Sequence, residues 1–419
     1  MKHLKYNFLL FIAFFIAQTL WAQKKEAVDF SKSLKIGDRF VPPNGISVFR
    51  GNMVKFDWNT LKDKVIILDF FSTACSTCID DMPKLQKLQD KYKDRLQIFN
   101  VAFQDKATLE KFYTENTFLK EKKVNLPVIH NDGELKKMFP HWAEPHAVII
   151  YKGIVQAITF SRLLTEENIL KLLRDGRIEL PYKNDYNQGD LGVHSSKGQG
   201  VSHLIGVWLS GYQNGVRTVD LKYVRDSITG LYKSSFYNRS IYIALRNVWS
   251  KFEMPTYIPR DERVVWKVKD STRFHNFKED KDKWNVENAI SYERLDKVMR
   301  SDSLQARVIL QDLHSLLSIR SYKTMMKRTC LILKSCPVKP YAGQPLKNPL
   351  NYENSSVLGT IIDIGMQFPP VIDQVNRNEK ITVGDFSNLA ELNQQLAVYG
   401  IKAEIGEGEI EVLVIEEVQ

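Results

Sequence analysis

Cysteine is scarce in this chain: four residues in 419, of which only Cys75 and Cys78 stand close together. A structural zinc site takes about four ligands, commonly from a second Cys-x-x-Cys or paired histidines. Cys330 and Cys336 are remote and differently spaced, so no metal centre is expected. Glycine (21) and proline (15) are modest and no low-complexity tract occurs, which excludes collagen-like and disordered classes. Blocks of one charge are also missing. The net charge is +10, yet basic residues are interleaved with acids, as in KEDKDKW from Lys278 to Trp284. A nucleic-acid partner is therefore not expected, and the excess charge would tune solubility or contact with anionic envelope surfaces.

Long apolar runs are few, and the one at the amino terminus, Phe8 to Ala17, is shorter than the roughly 20 residues that span a bilayer. Lys2 and Lys5 precede it and Ala22 offers a small residue for cleavage, the pattern of a secretory signal peptide over 1–22. A retained anchor is the alternative, because Leu20 is bulky for its place before the cleavage point. No cysteine follows the run to carry a lipid. The expected location is the periplasm or cell envelope of a bacterium, where thiols can be oxidised.

What is present is more than one domain's worth of chain with an ordinary 43% of hydrophobic residues. Val65–Phe71 (VIILDFF) reads as a strand buried on both faces, whereas Met82, Leu85, Leu88 and Tyr92 recur at helical spacing. Between them lies Cys75-Ser-Thr-Cys78. Further strands are expected at Leu96–Phe103, in VNLPVIH, and twice in Ala147–Phe160 around a Lys152-Gly153 turn. Helices are expected in KATLEKFYTEN and in TEENILKLLRDG, the latter with Thr165 as N-cap and Gly176 as stop. The alternation implies an α/β sandwich with a central sheet.

In that setting the cysteine pair has a chemistry. Cys75 at the amino end of a helix would face unpaired N–H groups and the helix dipole, which favour a thiolate. Cys78, one turn on, could resolve a mixed disulfide intramolecularly. The Cys75–Cys78 pair is therefore the expected redox-active disulfide.

These residues resemble the thioredoxin superfamily, specifically the TlpA/ResA-like envelope thiol–disulfide oxidoreductases, over about 31–176. The resemblance matches Cys75 and Cys78 to the redox pair, Asp69 to the buried acid that relays a proton for Cys78, and Pro83 to the proline of the active-site helix. It also matches Pro145 to a cis-proline beside the disulfide, and Ile36–Pro42 (IGDRFVP) to the family's opening segment. It implies a thioredoxin-like three-layer sandwich. It further implies disulfide-containing envelope proteins as substrates, a membrane electron donor and no cofactor. Peroxidase chemistry is not expected, since Leu68 and Ser72 replace the proline and threonine that peroxiredoxins carry before their cysteine. Two departures bear on substrate binding: Ala74 stands where the family has Trp, and Glu144 precedes Pro145, where small or β-branched residues are common. His141 and His146 bracket Pro145 and read as loop residues.

The stretch 177–203, rich in Gly, Asn, Asp and Ser, reads as a linker. Beyond it, 204–419 reads as a separate α+β region, with two segments that both run from helix into strand: Leu313 and Leu317 of the first answer Leu392 and Leu396 of the second. Two related modules are expected, and the last segment is similar to the ends of modules in bacterial envelope proteins and, weakly, to amino-terminal modules of secretins or TonB receptors. No paired-acid, phosphate-loop or triad motif occurs there. Cys330 reads as a core residue, and a disulfide to Cys336 is left open. Two functions fit: an exported oxidoreductase, or an envelope binding protein that uses the thioredoxin fold as a docking platform.

Overall fold

The computed structural model describes residues 28–51, 57–189, 191, 205–225, 230–253, 260–277 and 281–418. The segment expected as a signal peptide lies outside them. Among the described residues no helix is long and apolar enough to cross a membrane. Two units form: residues up to Gln188 with Asn214–Arg217, and the remainder from Gly189 onward.

The first unit contains β1 (Val48–Phe49), β2 (Val65–Phe70), α1 (Ser76–Lys91), β3 (Leu96–Val101), α2 (Lys106–Glu115), α3 (Thr117–Glu121), β4 (Val128–Ile129), α4 (Glu134–Met138), β5 (His146–Tyr151), β6 (Ile154–Thr159) and α5 (Glu166–Asp175). The sheet order is β1-β4-β3-β2-β5-β6. β2, β3 and β4 are parallel, while β5 and β6 run antiparallel to complete the sheet. β2, β3 and β5 are buried along their whole lengths, as continuous apolar runs require. Ile66, Leu68 and Phe70 face one core with Phe99, Leu135 and Phe139, whereas Val65 and Ile67 face another with Leu85 and Leu88 of α1 and Ile169 and Leu172 of α5. This is the thioredoxin-like three-layer sandwich.

Local signals place most of these elements. Thr165 caps α5 by accepting the Asn168 N–H, and Gly176 ends it at φ 73°, a conformation that suits a residue without Cβ. Lys152 and Gly153 both take positive φ (52° and 73°), the geometry of a tight hairpin turn. Two expectations shorten. β3 stops at Val101, leaving Phe103 exposed, and VNLPVIH supplies only Val128–Ile129, because Pro127 carries no N–H for a ladder.

The stretch expected as linker begins differently. Ile178 is buried with Leu164, Ile169 and Leu172; Lys183 N–H donates to the Ile158 carbonyl, and Thr159 Oγ1 donates to the Pro181 carbonyl. Its composition is polar, but Ile178, Leu180 and Tyr182 alternate and pack on the unit, which a linker composition conceals.

The second unit contains β7 (Gly206–Ser210), β8 (Val219–Arg225), β9 (Tyr232–Arg239), α6 (Ile241–Trp249), β10 (Val264–Lys267), α7 (Lys281–Asn288), β11 (Ile290–Asp296), α8 (Asp302–Leu317) and β12 (Ile319–Ser335). It continues with β13 (Leu350–Tyr352), α9 (Ser355–Gly365), β14 (Val371–Asp373), β15 (Ile381–Val383), α10 (Leu389–Leu396) and β16 (Ile401–Glu417). The order strand-helix-strand-strand-helix-strand occurs twice, from β9 to β12 with α7 inserted and from β13 to β16. In each copy the first strand pairs antiparallel with the third, β9 with β11 and β13 with β15. The last strands, β12 and β16, pair antiparallel from Ile319↔Glu417 to Ser335↔Ile401.

The second strands are exchanged. β10 adds in parallel to the end of β16, and β14 in parallel to the end of β12. Leu413 and Ile415 accordingly pack in the core with Leu313, while Leu331 and Leu333 pack with Leu392 and Leu396. Where two short strands were expected after each helix, one 17-residue strand forms. Cys330 is buried in β12 and Cys336 lies just past its end; both are free. An extended strand rises about 3.3 Å per residue, so six residues separate these thiols beyond disulfide reach.

Candidate active site

At Phe70 β2 ends, and the chain turns through Phe71–Ala74 to bring Cys75 to the start of α1. Cys75 is the N-cap: its backbone is extended (φ −86°, ψ 92°) and its sulfur accepts the Cys78 N–H at 3.2 Å. A sulfur so placed faces the unpaired N–H groups of the first helical turn. Cys75 and Cys78 are joined as a disulfide. Cys78 is buried against Phe71, Met82 and Leu109, whereas Cys75 is half-buried and Ala74 beside it is exposed. The two sulfurs are therefore unequal, with Cys75 the one open to an incoming partner.

Asp69 is fully buried, and alternation along β2 puts it on the face of Val65 and Ile67, the face that α1 covers. Ser161 donates a hydrogen bond to its Oδ1 at 2.5 Å, while Oδ2 meets no partner among the described residues. Burial pushes the carboxyl up, the Ser161 bond opposes it, and the nearby Asp81 and Glu144 charges add to the rise, which carries it to about 7. Such a group exchanges its proton near neutrality. Asp81, one turn beyond Cys78 on α1, is a second carboxyl raised by burial, and its Oδ2 also meets no partner among the described residues.

Pro145 follows a cis peptide bond from Glu144. Phe70 pairs with His146, so Pro145 lies at the same end of the sheet as the Cys75 loop. Glu144 is half-buried there. His141 lies in a loop, as expected, whereas His146 belongs to a strand; both are buried. His146 opens β5, and the two rings stack with centroids 4.4 Å apart against Phe70, on the sheet face opposite Asp69. Burial drives His141 down to about 4 despite its hydrogen bond to the Phe139 carbonyl, and holds His146 well below the usual imidazole range. Neither ring is charged at neutral pH.

Beside them Lys183 Nζ lies 3.4 Å from His146 Nδ1 and donates to the Ala143 carbonyl (2.8 Å) and to both carboxylate oxygens of Asp185 (2.7 Å). Burial lowers the Lys183 ammonium and Asp185 opposes that fall. Ser161, Asp81, Lys183 and Asp185 escaped the sequence reading. Only Asp81 carried a usable signal there, its three-residue spacing from Cys78 on a helix. Among the described residues no three His, Cys, Asp or Glu side chains converge as a metal site.

Residues 41–158 match the model of the AhpC/TSA family. The chain is similar to the thioredoxin-like protein YneN of Bacillus subtilis, 27% identical over 112 residues, which cover 26% of this chain and 65% of that protein. Among solved structures it is similar to the thioredoxin domain of a thiol-disulfide oxidoreductase from Bacteroides vulgatus (20% identity, 35% of this chain and 100% of that one, TM-score 0.26). Another is an exposed lipoprotein thioredoxin from Streptococcus pneumoniae (20% identity, 30% of this chain and 98% of that one, TM-score 0.26). The sheet topology and the capped cysteine pair fall on the stretch that matches the family model, and the first unit has the thioredoxin-like fold that the resemblance to the TlpA/ResA-like proteins implied.

Proposed function

We propose that this chain is an exported thiol–disulfide oxidoreductase that reduces disulfides of envelope proteins. The observation that carries the reading is the unequal cysteine pair at the start of α1, with Cys75 as N-cap and Cys78 buried behind it. The helix start favours the Cys75 thiolate, which attacks one sulfur of a substrate disulfide. A Cys75–substrate bond forms, the substrate S–S bond breaks, and one substrate thiolate leaves and takes up a proton. Cys78 then gives its proton to the Asp69 carboxylate and attacks the Cys75 sulfur. The Cys75–Cys78 bond forms and the second substrate sulfur departs, two electrons having passed to the substrate.

Asp69 suits this part because a carboxyl at about 7 is ionised often enough to accept a proton and binds it well enough to keep it. The backbone before Pro145 offers an extended substrate an edge to pair with, and Ala74 leaves the lip beside Cys75 low. Returning the pair to the dithiol requires an electron donor, for which a membrane thiol relay is the fitting class.

The test uses the full chain, reduced and mixed with a protein disulfide such as insulin. The wild type is expected to release substrate thiols, two per Cys75–Cys78 disulfide formed. Cys78→Ser is expected to accumulate a mixed disulfide through Cys75, and Cys75→Ser to accumulate none. Absence of both thiol release and the mixed disulfide would overturn the reading.

A further inference from the structure

No indole precedes Cys75, where Ala74 stands, yet an indole does project from the other loop at this end of the sheet. Trp142, three residues before Pro145, is 59% exposed. It is nonetheless held in place. Its backbone N–H donates to Asp185 Oδ2 (3.1 Å), its Nε1–H donates to the Asp185 carbonyl (2.8 Å), and the Arg217 guanidinium lies 5.5 Å from the ring centroid. Asp185 also accepts the Ala143 N–H (3.0 Å) and is fixed in turn by the buried Lys183.

An indole needed only for packing would be covered, because its apolar area is best removed from water. An indole left free would lose side-chain freedom on meeting a ligand, and that loss would weaken binding. Trp142 is neither: its ordering is complete before anything binds, and its apolar surface remains in water. A second exposed ring, Phe103, follows β3, and its neighbour Gln104 donates to Thr73 in the Cys75 loop at 3.0 Å. Trp142 and Phe103 thus both lie on loops at the same end of the sheet as the Cys75 loop.

We propose that Trp142 is a specificity-determining residue, contacting an apolar side chain that flanks the cysteine under attack, and that Asp185, braced by Lys183, is its positioning residue. The preferred substrate is an extended polypeptide disulfide with an apolar neighbour to the reacting cysteine. This rests on the oxidoreductase reading.

The test compares two peptide disulfides that differ only in having Leu or Ser next to the cysteine, with kcat/KM measured for each. Wild type is expected to favour the Leu peptide, and Trp142→Ala to reduce that ratio by about fivefold to tenfold, the size of one aromatic contact, mostly through KM. Trp142→Phe restores most of the ratio. Asp185→Asn lowers the ratio in the wild-type background and has little further effect in Trp142→Ala, the outcome that separates positioning from a general loss of structure. If the wild type reduces neither peptide, the oxidoreductase reading has failed. If it reduces both, and Trp142→Ala leaves the ratio unchanged, the assignment of Trp142 is wrong. Equal effects of Asp185→Asn in both backgrounds would remove Asp185 from it.

Discussion

Asp69 in the first unit and Glu293 in the second are both fully buried carboxyl groups on interior strands, and their surroundings are opposite. Among the described residues Asp69 receives one neutral hydroxyl and keeps an oxygen unpartnered. Glu293 lies 2.8 Å from Lys233 and also accepts from the Tyr237 hydroxyl and the Leu191 N–H. Burial pushes both upward, yet in Glu293 those donors outweigh it and hold the carboxyl below its ordinary value, whereas Asp69 rises to about 7. Other half-buried or buried acids of the second unit are also paired with cations: Asp363 with Arg260 and Arg263, and Asp296 with Arg294 and Arg300. A buried acid with its cation is a structural element, while one denied a cation stays able to move a proton.

The cysteines draw the same contrast and give the largest expected effect. Cys75→Ser should abolish disulfide reduction in the insulin assay. Cys330→Ala, which removes a buried thiol in β12, should leave turnover unchanged and cost about 1 kcal/mol in an unfolding titration. A loss of turnover in Cys330→Ala at full folding would break the division of labour between the units.

Asp69→Asn tests the acid side. Its folded value of about 7 exceeds the ordinary 3.8, so the folded chain holds the extra proton in between, and stability falls as pH rises from about 4 to 7. Removing the group should remove that fall, worth as much as roughly 4 kcal/mol at pH 8. His141, lowered to about 4, contributes the opposite slope, rising from about 4 to 6.5, and His146, also lowered by burial, adds to it in the same direction; both contributions should remain in the variant. The same substitution should slow resolution of the mixed disulfide, giving a more stable and less active protein. Equal turnover in both proteins from pH 6 to 8 would reduce Asp69 to a structural acid. Glu293→Gln should do the reverse in the second unit, destabilising it by about 2 kcal/mol, because Lys233 would face a neutral amide.

Residues whose role is local were legible in advance, and residues whose partner comes from far along the chain were not. Thr165 and Gly176 announce the ends of α5, and Lys152-Gly153 announces a hairpin, because caps and turns depend on a few adjacent residues. Cys75 and Cys78 carry their own spacing, and Asp69 stands out as an acid in an apolar run. Ser161, however, meets Asp69 across 92 positions, and Lys183 reaches His146 across 37. Nothing in DYNQGD around Asp185 hints at a buried ion pair. The helix-to-strand segments of the second unit showed in the sequence, but the exchange of β10 and β14 did not, since register over such distances is decided only when the cores assemble.

Glu144 should give the smallest effect and sharpens the contrast most finely. It is one of two carboxylates that raise Asp69, ranked after Asp81, and it is half-buried beside Pro145. Coupling between partly solvated charges is weakened by water and salt, and measured exposed pairs are worth about 1 kcal/mol or less. Glu144→Thr should therefore lower the pH midpoint of mixed-disulfide resolution by a few tenths of a unit, and Asp81→Asn should lower it further. Both shifts should shrink in high salt, Glu144 more than Asp81 because it is nearer solvent. A midpoint that stays put in Glu144→Thr, with Asp81→Asn still active on it, would place the Asp69 field wholly within the α1 face and free position 144 to act on substrate charge alone.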